Sequence, residues 1–184
     1  DTEGVIRVSS EEAQKQDYYR NVSALATSSW KSTEAKYAAD DLLNTNWGAD
    51  NNTWNTNQKP QELTLDLGTT KRISNLTWIN HHYMATPVNY KIFVSSGSNS
   101  WILVKEVKGG PRRDGSEKIV ENFPASQARF IKLSINETYG TAGYPPAINE
   151  IWATDTVEGS RETSEKVLAC PFCYVENSAD YDQR

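Results

Sequence analysis

The chain has 184 residues, of which 37% are hydrophobic and 23% charged, and a net charge of −5. Its low mean hydropathy and pI near 5.1 describe a polar, acidic protein. These values suit one domain of roughly 130–150 residues with polar ends. The acidic balance argues against a nucleic-acid partner, which requires a basic surface. No run approaches the roughly 18 apolar residues of a membrane-spanning helix, so no membrane span is predicted.

The first predicted element is a short helix over residues 9–20, which makes 1–20 an N-terminal helical segment. Ser9 and Glu12 have the spacing of a capping box, and Asn21 stands where the helix would end. From there apolar and polar residues alternate, which is typical of half-buried strands. The alternation appears at 22–29, 61–68, 73–80, 88–96, 101–107, 117–123, 129–135 and 147–153. About eight such strands predict an all-β fold, an antiparallel β-sandwich, over residues 21–153.

Residues 154–184 are predicted to form a linker and a polar tail. The first part, 154–166, is charged and has one apolar residue, Val157. A small apolar island follows, with Cys170 and Cys173 in a C-P-F-C motif. We favour a local disulfide, since no βαβ setting for a redox motif is predicted. A zinc site would need ligands from a further segment, and this alternative stays open.

The sequence contains no recognised catalytic motif. His81 and His82 are adjacent and are the only two histidines, so they cannot act as separate base and orienting group in a triad. There is no nucleophile elbow, zinc-protease motif or phosphate-binding glycine loop. The scattered Asp and Glu residues favour no pair for glycoside hydrolysis. We therefore predict that the chain is not an enzyme.

Five segments, in their order and spacing, resemble the discoidin family, which includes the coagulation-factor C domains and the family-32 carbohydrate-binding modules. They are NVSALATSSW (21–30), AADDLLNTNWG (38–48), QELTLDLG (61–68), ARFIKLSI (128–135) and AINEIWA (147–153). The resemblance implies a galactose-binding-like jelly roll outside the cell or at its surface. It also implies an accessory or adhesion module of a larger protein, with a glycan or glycoprotein as its partner.

The same resemblance implies a structural calcium site. In microbial members the ion lies in the loop after the first strand and is also bound by the last strand. On this chain that frame corresponds to the side chains of Asp40, Thr45 and Glu150 and the carbonyls of Tyr37, Leu42 and Asn149. Calcium takes about six to eight oxygen ligands in flexible geometry, which suits such a set. The family usually has Gly after the Asp; this chain has Asp41, and Asp is among the few residues that tolerate positive φ.

Family-32 modules bind sugars on loops at one end of the sandwich. Sugars require aromatic faces and planar hydrogen-bonding groups, and the loops 48–60, 80–87, 108–116 and 136–146 contain both. The candidate ligand-binding residues are Trp54, His81, His82, Tyr83, Arg112, Arg113, Tyr139 and Tyr144.

The tryptophans divide between core and surface. Trp54 is expected to be exposed, because it lies in a loop without alternating neighbours. Trp47, Trp78 and Trp152 occupy strand or motif positions and are expected in the core. Trp30 ends the first strand, and the sequence does not assign it to either place.

Other interpretations stay open for these residues. The two histidines can be one packed and one solvated ring, and Arg112 and Arg113 can be solvated turn charges. Asp40, Asp41 and Glu150 can be ordinary carboxylates. Tyr83 and Met84 could insert into a membrane surface, but an acidic chain fits that poorly.

Two other functions stay open for the chain as a whole. It can be a structural or protein-binding adhesion domain of a cell-surface assembly, or an accessory fragment of a larger glycoside-active enzyme. Sequons at Asn21, Asn51, Asn75 and Asn136 do not decide between these functions, since chance gives roughly three.

Overall fold

The computed structural model describes residues 17–55, 59–97, 100–115, 117–140 and 143–155. The predicted helix over 9–20 lies outside these residues except at its end, where Asp17–Tyr19 form a strand. These three residues pair with the final strand, so sheet hydrogen bonds take the place of helical ones there. Cys170 and Cys173 lie outside the described residues, and their disulfide stays a prediction.

The described residues form one antiparallel sheet of eight strands. In chain order the strands are β1 (Asp17–Tyr19), β2 (Ser23–Ala26), β3 (Trp47–Gly48), β4 (Gln61–Asn80), β5 (Pro87–Ser95), β6 (Ile102–Val107), β7 (Lys118–Thr138) and β8 (Ala147–Asp155). The connections hold two 3₁₀ helices (Ala35–Ala38 and Tyr83–Ala85) and one short α-helix, α1 (Asn51–Asn55). No helix in this described part is long and apolar enough to cross a membrane.

The strand order is β1-β8-β4-β7-β5-β6, with β2 added on β4 and β3 on β8. β4 and β7 are long enough to take part in both layers. The first half of β4 pairs with the second half of β7 through Leu63 and Leu133, and the reverse halves pair through Trp78 and Ile119. A register shift after Asp66 separates the two stretches. Irregularities of this kind bend a ladder from one layer into another. The predicted all-β jelly-roll sandwich is therefore confirmed.

The core follows the predicted alternation. Leu63 and Leu65 are fully buried, whereas Thr64 between them is partly exposed. Trp47, Trp78 and Trp152 are buried, as the sequence predicts. The Trp78 ring meets the ring of Tyr90 edge to face, with 5.4 Å between their centroids. Such pairs are the preferred geometry of packed aromatic rings.

Several strand ends meet at one end of the sandwich. Pro87 is paired with Thr138, Asn80 with Ile148, and Gly48 with Ala147. The connections 49–60, 81–86 and 139–146 therefore leave the sheet at the same end. The 108–115 segment joins them, because the Gly110 N–H donates to the Val88 carbonyl at 2.8 Å. This end is called the loop end below.

Trp54 does not belong to the exposed surface of the loop end, and the expectation that it binds ligand from an exposed position is wrong. Its side chain is only 1% exposed, and Lys59 Nζ lies 4.2 Å from the ring centroid. The cause is local. The Asp50 carboxylate accepts hydrogen bonds from Thr53 N and Thr53 Oγ1 at 2.8 and 2.9 Å and so begins α1. This single helical turn places the Trp54 side chain in the core, although its neighbours in the sequence do not alternate as they would in a strand.

We expect Trp54→Ala to destabilise the fold by about 3–5 kcal/mol, because it leaves a large cavity in the core. Urea unfolding followed by circular dichroism would measure the change. Tyr139→Ala is a matched control on the loop end, where the side chain is 45% exposed, and we expect a change of about 0.5 kcal/mol or less. A Trp54 variant as stable as the control would contradict this assignment.

Candidate functional site

Three groups of side chains are candidates for binding a ligand: one group of carboxylates, in the loop before β3 and on β8, and two groups of possible ligand-binding residues at the loop end. The carboxylates are those of the predicted calcium frame. The first ligand-binding group is a set of stacked side chains around Arg112. The second is a cleft beside Trp30.

The loop before β3 gathers the first three predicted calcium ligands. Asp40 Oδ1 accepts a hydrogen bond from the Leu42 N–H at 3.1 Å. Thr45 Oγ1 lies 2.9 Å from both Asp40 Oδ1 and the Leu42 carbonyl oxygen. A carboxylate, a hydroxyl and a carbonyl oxygen thus share one small space. Tyr37 lies just before them, in the 3₁₀ helix Ala35–Ala38.

Asp41 adopts the left-handed conformation that the family's usual Gly would favour. Its φ is +64°, a region that Asp tolerates better than most residues. Its side chain turns toward Arg20, whose Nη1 lies 2.7 Å from Asp41 Oδ1. The Arg20 guanidinium also stacks on Trp152, 4.2 Å from the ring centroid. This contact ties the loop to the sheet.

Glu150 on β8 is the unusual group of this region. Its side chain is 1% exposed, and its two carboxylate oxygens are the only buried side-chain oxygens or nitrogens in the described residues that lack a hydrogen-bond partner. Burial and, to a smaller extent, the charges of Asp40 and Asp41 together raise the pKa of Glu150 to about 8. The backbone N–H of Asp41 and the positive charge of Arg20 lower the pKa by smaller amounts.

A buried, unpaired carboxylate is costly unless it takes up a proton or binds a cation. Oxygen donors of this kind suit a hard cation such as calcium. In the described residues no group of three or more His, Cys, Asp or Glu could hold a metal. The calcium frame does not require one, because it has two carboxylates and completes its set with a hydroxyl and backbone carbonyls. The residues present therefore fit the ion.

The first group of possible ligand-binding residues is the Arg112 cluster, formed by His82, Tyr83, Arg112 and Tyr139. The Arg112 guanidinium carbon lies 4.2 Å from the Tyr83 centroid and 6.0 Å from the Tyr139 centroid. The two tyrosine rings are 6.5 Å apart, and His82 is 4.5 Å from Tyr83. The Arg112 side chain is 51% exposed, and its nearest ion-pair partner, Asp114, is 3.5 Å away. Aromatic faces and planar N–H donors thus meet at one exposed spot.

Arg113 and Tyr144 are held differently from the Arg112 cluster. The Arg113 guanidinium is paired with Glu117 at 2.5 Å, and the Arg113 carbonyl accepts from Thr86 Oγ1 at 3.0 Å. These contacts anchor the 108–115 segment. Tyr144 is 45% exposed and packs against Gly140, where an added Cβ would come within 2.7 Å of the Tyr144 ring.

The second group of possible ligand-binding residues lines the Trp30 cleft, an open depression of about 390 Å³. Its lining includes Trp30, Thr33, Asn46, Asn51, His81 and Pro145. His81 Nδ1 lies 2.8 Å from Asn149 Oδ1, which fixes the ring against β8. The predicted His81 therefore lies in this cleft, whereas the predicted His82 lies in the Arg112 cluster.

Sequence reasoning missed most of this cleft. Trp30 was not assigned, and Thr33, Asn46 and Asn51 were not considered as ligand-binding residues. The available signal was weak: a Trp at a strand end and a run of Asn residues between 44 and 52. What brings them together is β3, since Trp30 N–H donates to the Gly48 carbonyl at 2.8 Å.

Comparisons with known proteins agree with this architecture. The family model of the F5/8 type C domain matches residues 21–151. The chain is similar to chitosan-binding module 1 of a chitosanase/glucanase from Paenibacillus sp. IK-5, with 23% identity, a TM-score of 0.59 and coverage of 73% of this chain and 96% of that one. A search of curated proteins found no match.

Two Clostridium perfringens structures are similar as well. The family 32 module of NanJ, solved with galactose, has 22% identity and a TM-score of 0.61, covering 76% of this chain and 99% of that one. Module CpGH89CBM32-5, solved with GalNAc-β-1,3-galactose, has 24% identity and a TM-score of 0.62, covering 74% and 99%. At these identities the likeness establishes the fold.

Glu150 makes the stability of the metal-free protein depend on pH. Its pKa in the fold, about 8, is above the ordinary 4.5, so its stabilising contribution is complete below pH 4.5 and is lost as the pH rises through 8. We expect the Tm of the protein in chelator to fall over this range. We expect Glu150→Gln to reduce that fall and to raise the Tm at pH 8.

Differential scanning fluorimetry across this pH range would measure both effects. Glu106→Gln is the matched control, because Glu106 is a surface carboxylate near Lys91 and Lys108. It should keep the pH dependence of the unaltered chain. If Glu150→Gln had a lower Tm than the unaltered chain in chelator at pH 8, the buried carboxylate would not destabilise the metal-free protein, and this prediction would be wrong.

Proposed function

The chain belongs to the F5/8 type C (discoidin) domain family, and we propose that it is a non-catalytic carbohydrate-binding module, stabilised by calcium. We propose further that it attaches a larger extracellular protein to glycans. The Arg112 cluster is the observation that carries the proposal. The calcium part rests on Glu150 and the loop around Asp40.

The Arg112 cluster has the chemistry that sugars require. A sugar ring presents an apolar C–H face, which packs on an aromatic ring, and hydroxyls, which need directional hydrogen-bond donors and acceptors. Tyr83 and Tyr139 supply the rings, and Arg112 and His82 supply the polar groups. Because the Arg112 guanidinium already packs over the Tyr83 ring, Arg112 loses less side-chain freedom when it binds a sugar hydroxyl.

The likeness to solved structures supports the same class of ligand. Two similar structures were solved with galactose and with GalNAc-β-1,3-galactose, and another is a chitosan-binding module. An exposed, shallow site of this kind buries little area, and we expect affinities from about micromolar to millimolar.

Calcium would be held by the side chains of Asp40, Thr45 and Glu150 and by the carbonyls of Tyr37, Leu42 and Asn149. Its charge would offset the burial of Glu150. It would also tie the loop before β3 to β8, closing a chain segment of about 110 residues, and such long closures remove much entropy from the unfolded state.

Strand β8 links the calcium frame to the loop that carries part of the glycan site. Asn149 is a predicted carbonyl ligand, and its side-chain oxygen contacts His81 Nδ1 at 2.8 Å. His81 in turn precedes His82 of the Arg112 cluster. The position of β8 at Asn149 and Glu150 therefore helps to set the positions of both histidines. We expect chelation to weaken glycan binding as well as lower stability.

Calcium should raise the Tm of the full-length chain. Ligand at 100 times its Kd adds about 2.7 kcal/mol to the free energy of unfolding. Asp40→Asn and Glu150→Gln should lose this response, whereas Asp114→Asn, an exposed control outside the frame, should keep it. Magnesium should act more weakly, because it demands a rigid octahedral shell. Scanning calorimetry with each metal tests this, and a Tm indifferent to calcium would overturn the calcium proposal.

A glycan array probed with the full-length chain in calcium tests the binding proposal. We expect hits that share a terminal sugar and that weaken in chelator. For the best hit, Arg112→Ala and Tyr83→Ala should lower the affinity about tenfold or more, and Arg112→Lys should not restore it, since lysine lacks the planar fork.

Arg129→Ala is the matched control for this experiment. Arg129 also stacks on an aromatic ring, 4.9 Å from the Phe130 centroid, but pairs with Asp66 on the sheet away from the loop end. Its affinity should equal that of the unaltered chain. A blank array from folded, calcium-loaded protein would argue against glycan binding and favour the protein-binding adhesion domain.

A further inference from the structure

We infer that the Trp30 cleft is a second sugar subsite, so that this module takes a neutral glycan of at least two units rather than a single terminal sugar. The inference rests on the proposed function, because it extends the site built around Arg112. Three features of the cleft support it: its position, its hydrogen-bonding groups and the absence of charged residues from its lining.

The cleft and the Arg112 cluster adjoin, because the same two loops form parts of both. In the 81–86 connection, His81 lines the cleft and the next residue, His82, packs on Tyr83. In the 139–146 connection, Tyr139 belongs to the cluster and Pro145 lines the cleft. Consecutive Cα atoms are only about 3.8 Å apart. The cleft therefore lies within reach of a second unit when a first glycan unit binds to the cluster.

Trp30 gives the cleft an aromatic wall held by the backbone. Its N–H donates to the Gly48 carbonyl at 2.8 Å, and its own carbonyl accepts from Thr33 Oγ1 at 2.5 Å. Lys31 Nζ lies 4.9 Å from the ring centroid. The ring is half-buried, so it presents a fixed surface and needs little ordering when a sugar packs on it.

His81 is oriented to accept a hydrogen bond. Its Nδ1 faces Asn149 Oδ1 at 2.8 Å. An amide oxygen can only accept, so in the neutral ring the proton sits on Nδ1 and Nε2 is an acceptor. A sugar hydroxyl is a suitable donor to that nitrogen. Asn46 and Asn51, which also line the cleft, offer both donors and acceptors, as hydroxyl groups require.

The residues that line the cleft include no Asp, Glu, Lys or Arg, and Lys31 is outside the lining, with its Nζ over the Trp30 ring. A cationic sugar such as glucosamine would want a carboxylate, and a uronate would want a guanidinium or ammonium group. Thr, Asn and neutral His suit hydroxyl and acetamido groups instead. The second unit is therefore expected to be uncharged.

Isothermal titration calorimetry of the full-length chain in calcium tests the inference with three probes. Galactose and N-acetylgalactosamine are the single units, and GalNAc-β-1,3-galactose is the two-unit probe. We expect the disaccharide to bind about tenfold more tightly than either single unit, the gain of one good aromatic contact with hydrogen bonds. Trp30→Ala should remove most of this gain and leave the single-unit affinity within about twofold.

Two further variants distinguish the loss of a sugar subsite from a general loss of folding. Asn51→Ala should also reduce the disaccharide gain, without truncating a large side chain. Trp101→Ala is the matched control. Trp101 is likewise half-buried, and its ring centroid lies 4.5 Å from Lys132 Nζ. The next residue, Ile102, pairs with Val94, near the end of β5 that is remote from the loop end. It should keep the full gain. The Tm of each variant confirms its fold.

Every other outcome counts against the inference in a distinct way. Equal affinity for one and two units in the unaltered chain would show that the cleft adds nothing, and would leave the proposed function intact. Loss of single-unit and disaccharide binding alike in Trp30→Ala would make the cleft the primary site instead of a second one. No binding of any probe would overturn the inference and also count against the proposed glycan class.

Discussion

The ladder between β4 and β7 is the constraint on which the rest of the structure depends. These strands have 20 and 21 residues, and their two halves lie in different layers of the sandwich. Strands β2, β5 and β8 pair with one half or the other, and β1, β3 and β6 extend the sheet from β8 or β5. Because register fixes which side chains face the core, a one-residue slip in this ladder would turn Leu63, Leu65 and their partners to the outside. The same register sets where each strand ends, and so where the loops meet.

Within that frame, β8 serves two sites from neighbouring residues. Successive side chains of a strand point to opposite faces. Burial, together with the charges of Asp40 and Asp41, raises the pKa of Glu150, whereas Asn149 on the other face contacts His81 in the Trp30 cleft. A strand paired with both β3 and β4 is firmly held. The proposed calcium frame and the proposed glycan surface therefore depend on one rigid element rather than on the loops alone.

The sequence predicts the fold well because apolar and polar residues alternate along most strands of the sandwich. Alternating Leu, Ile and Val residues mark most of the strands, and three of the core tryptophans are recognisable from their strand positions. The loop end is harder. Trp54 enters the core from a single helical turn begun by Asp50, and one turn is too short to show a period. Trp30 and Asn46 become neighbours only through β3, a two-residue strand with no pattern of its own. Contacts made by such short elements are set by tertiary packing, which composition and spacing do not reveal.

Charge balance links the departure at Asp41 to the proposed ion. A Gly at that position would supply the left-handed backbone without adding charge, whereas Asp41 supplies both a φ of +64° and a third carboxylate. Arg20 pairs with it at 2.7 Å and is held in place by Trp152. An exposed ion pair of this kind adds little stability by itself. Its effect is on the sum of charges: three carboxylates and one guanidinium leave two negative charges when Glu150 is ionised. One divalent cation would neutralise two charges. Asp41 and Arg20 cancel each other, so the extra carboxylate leaves the charge balance required by the proposed calcium ion unchanged.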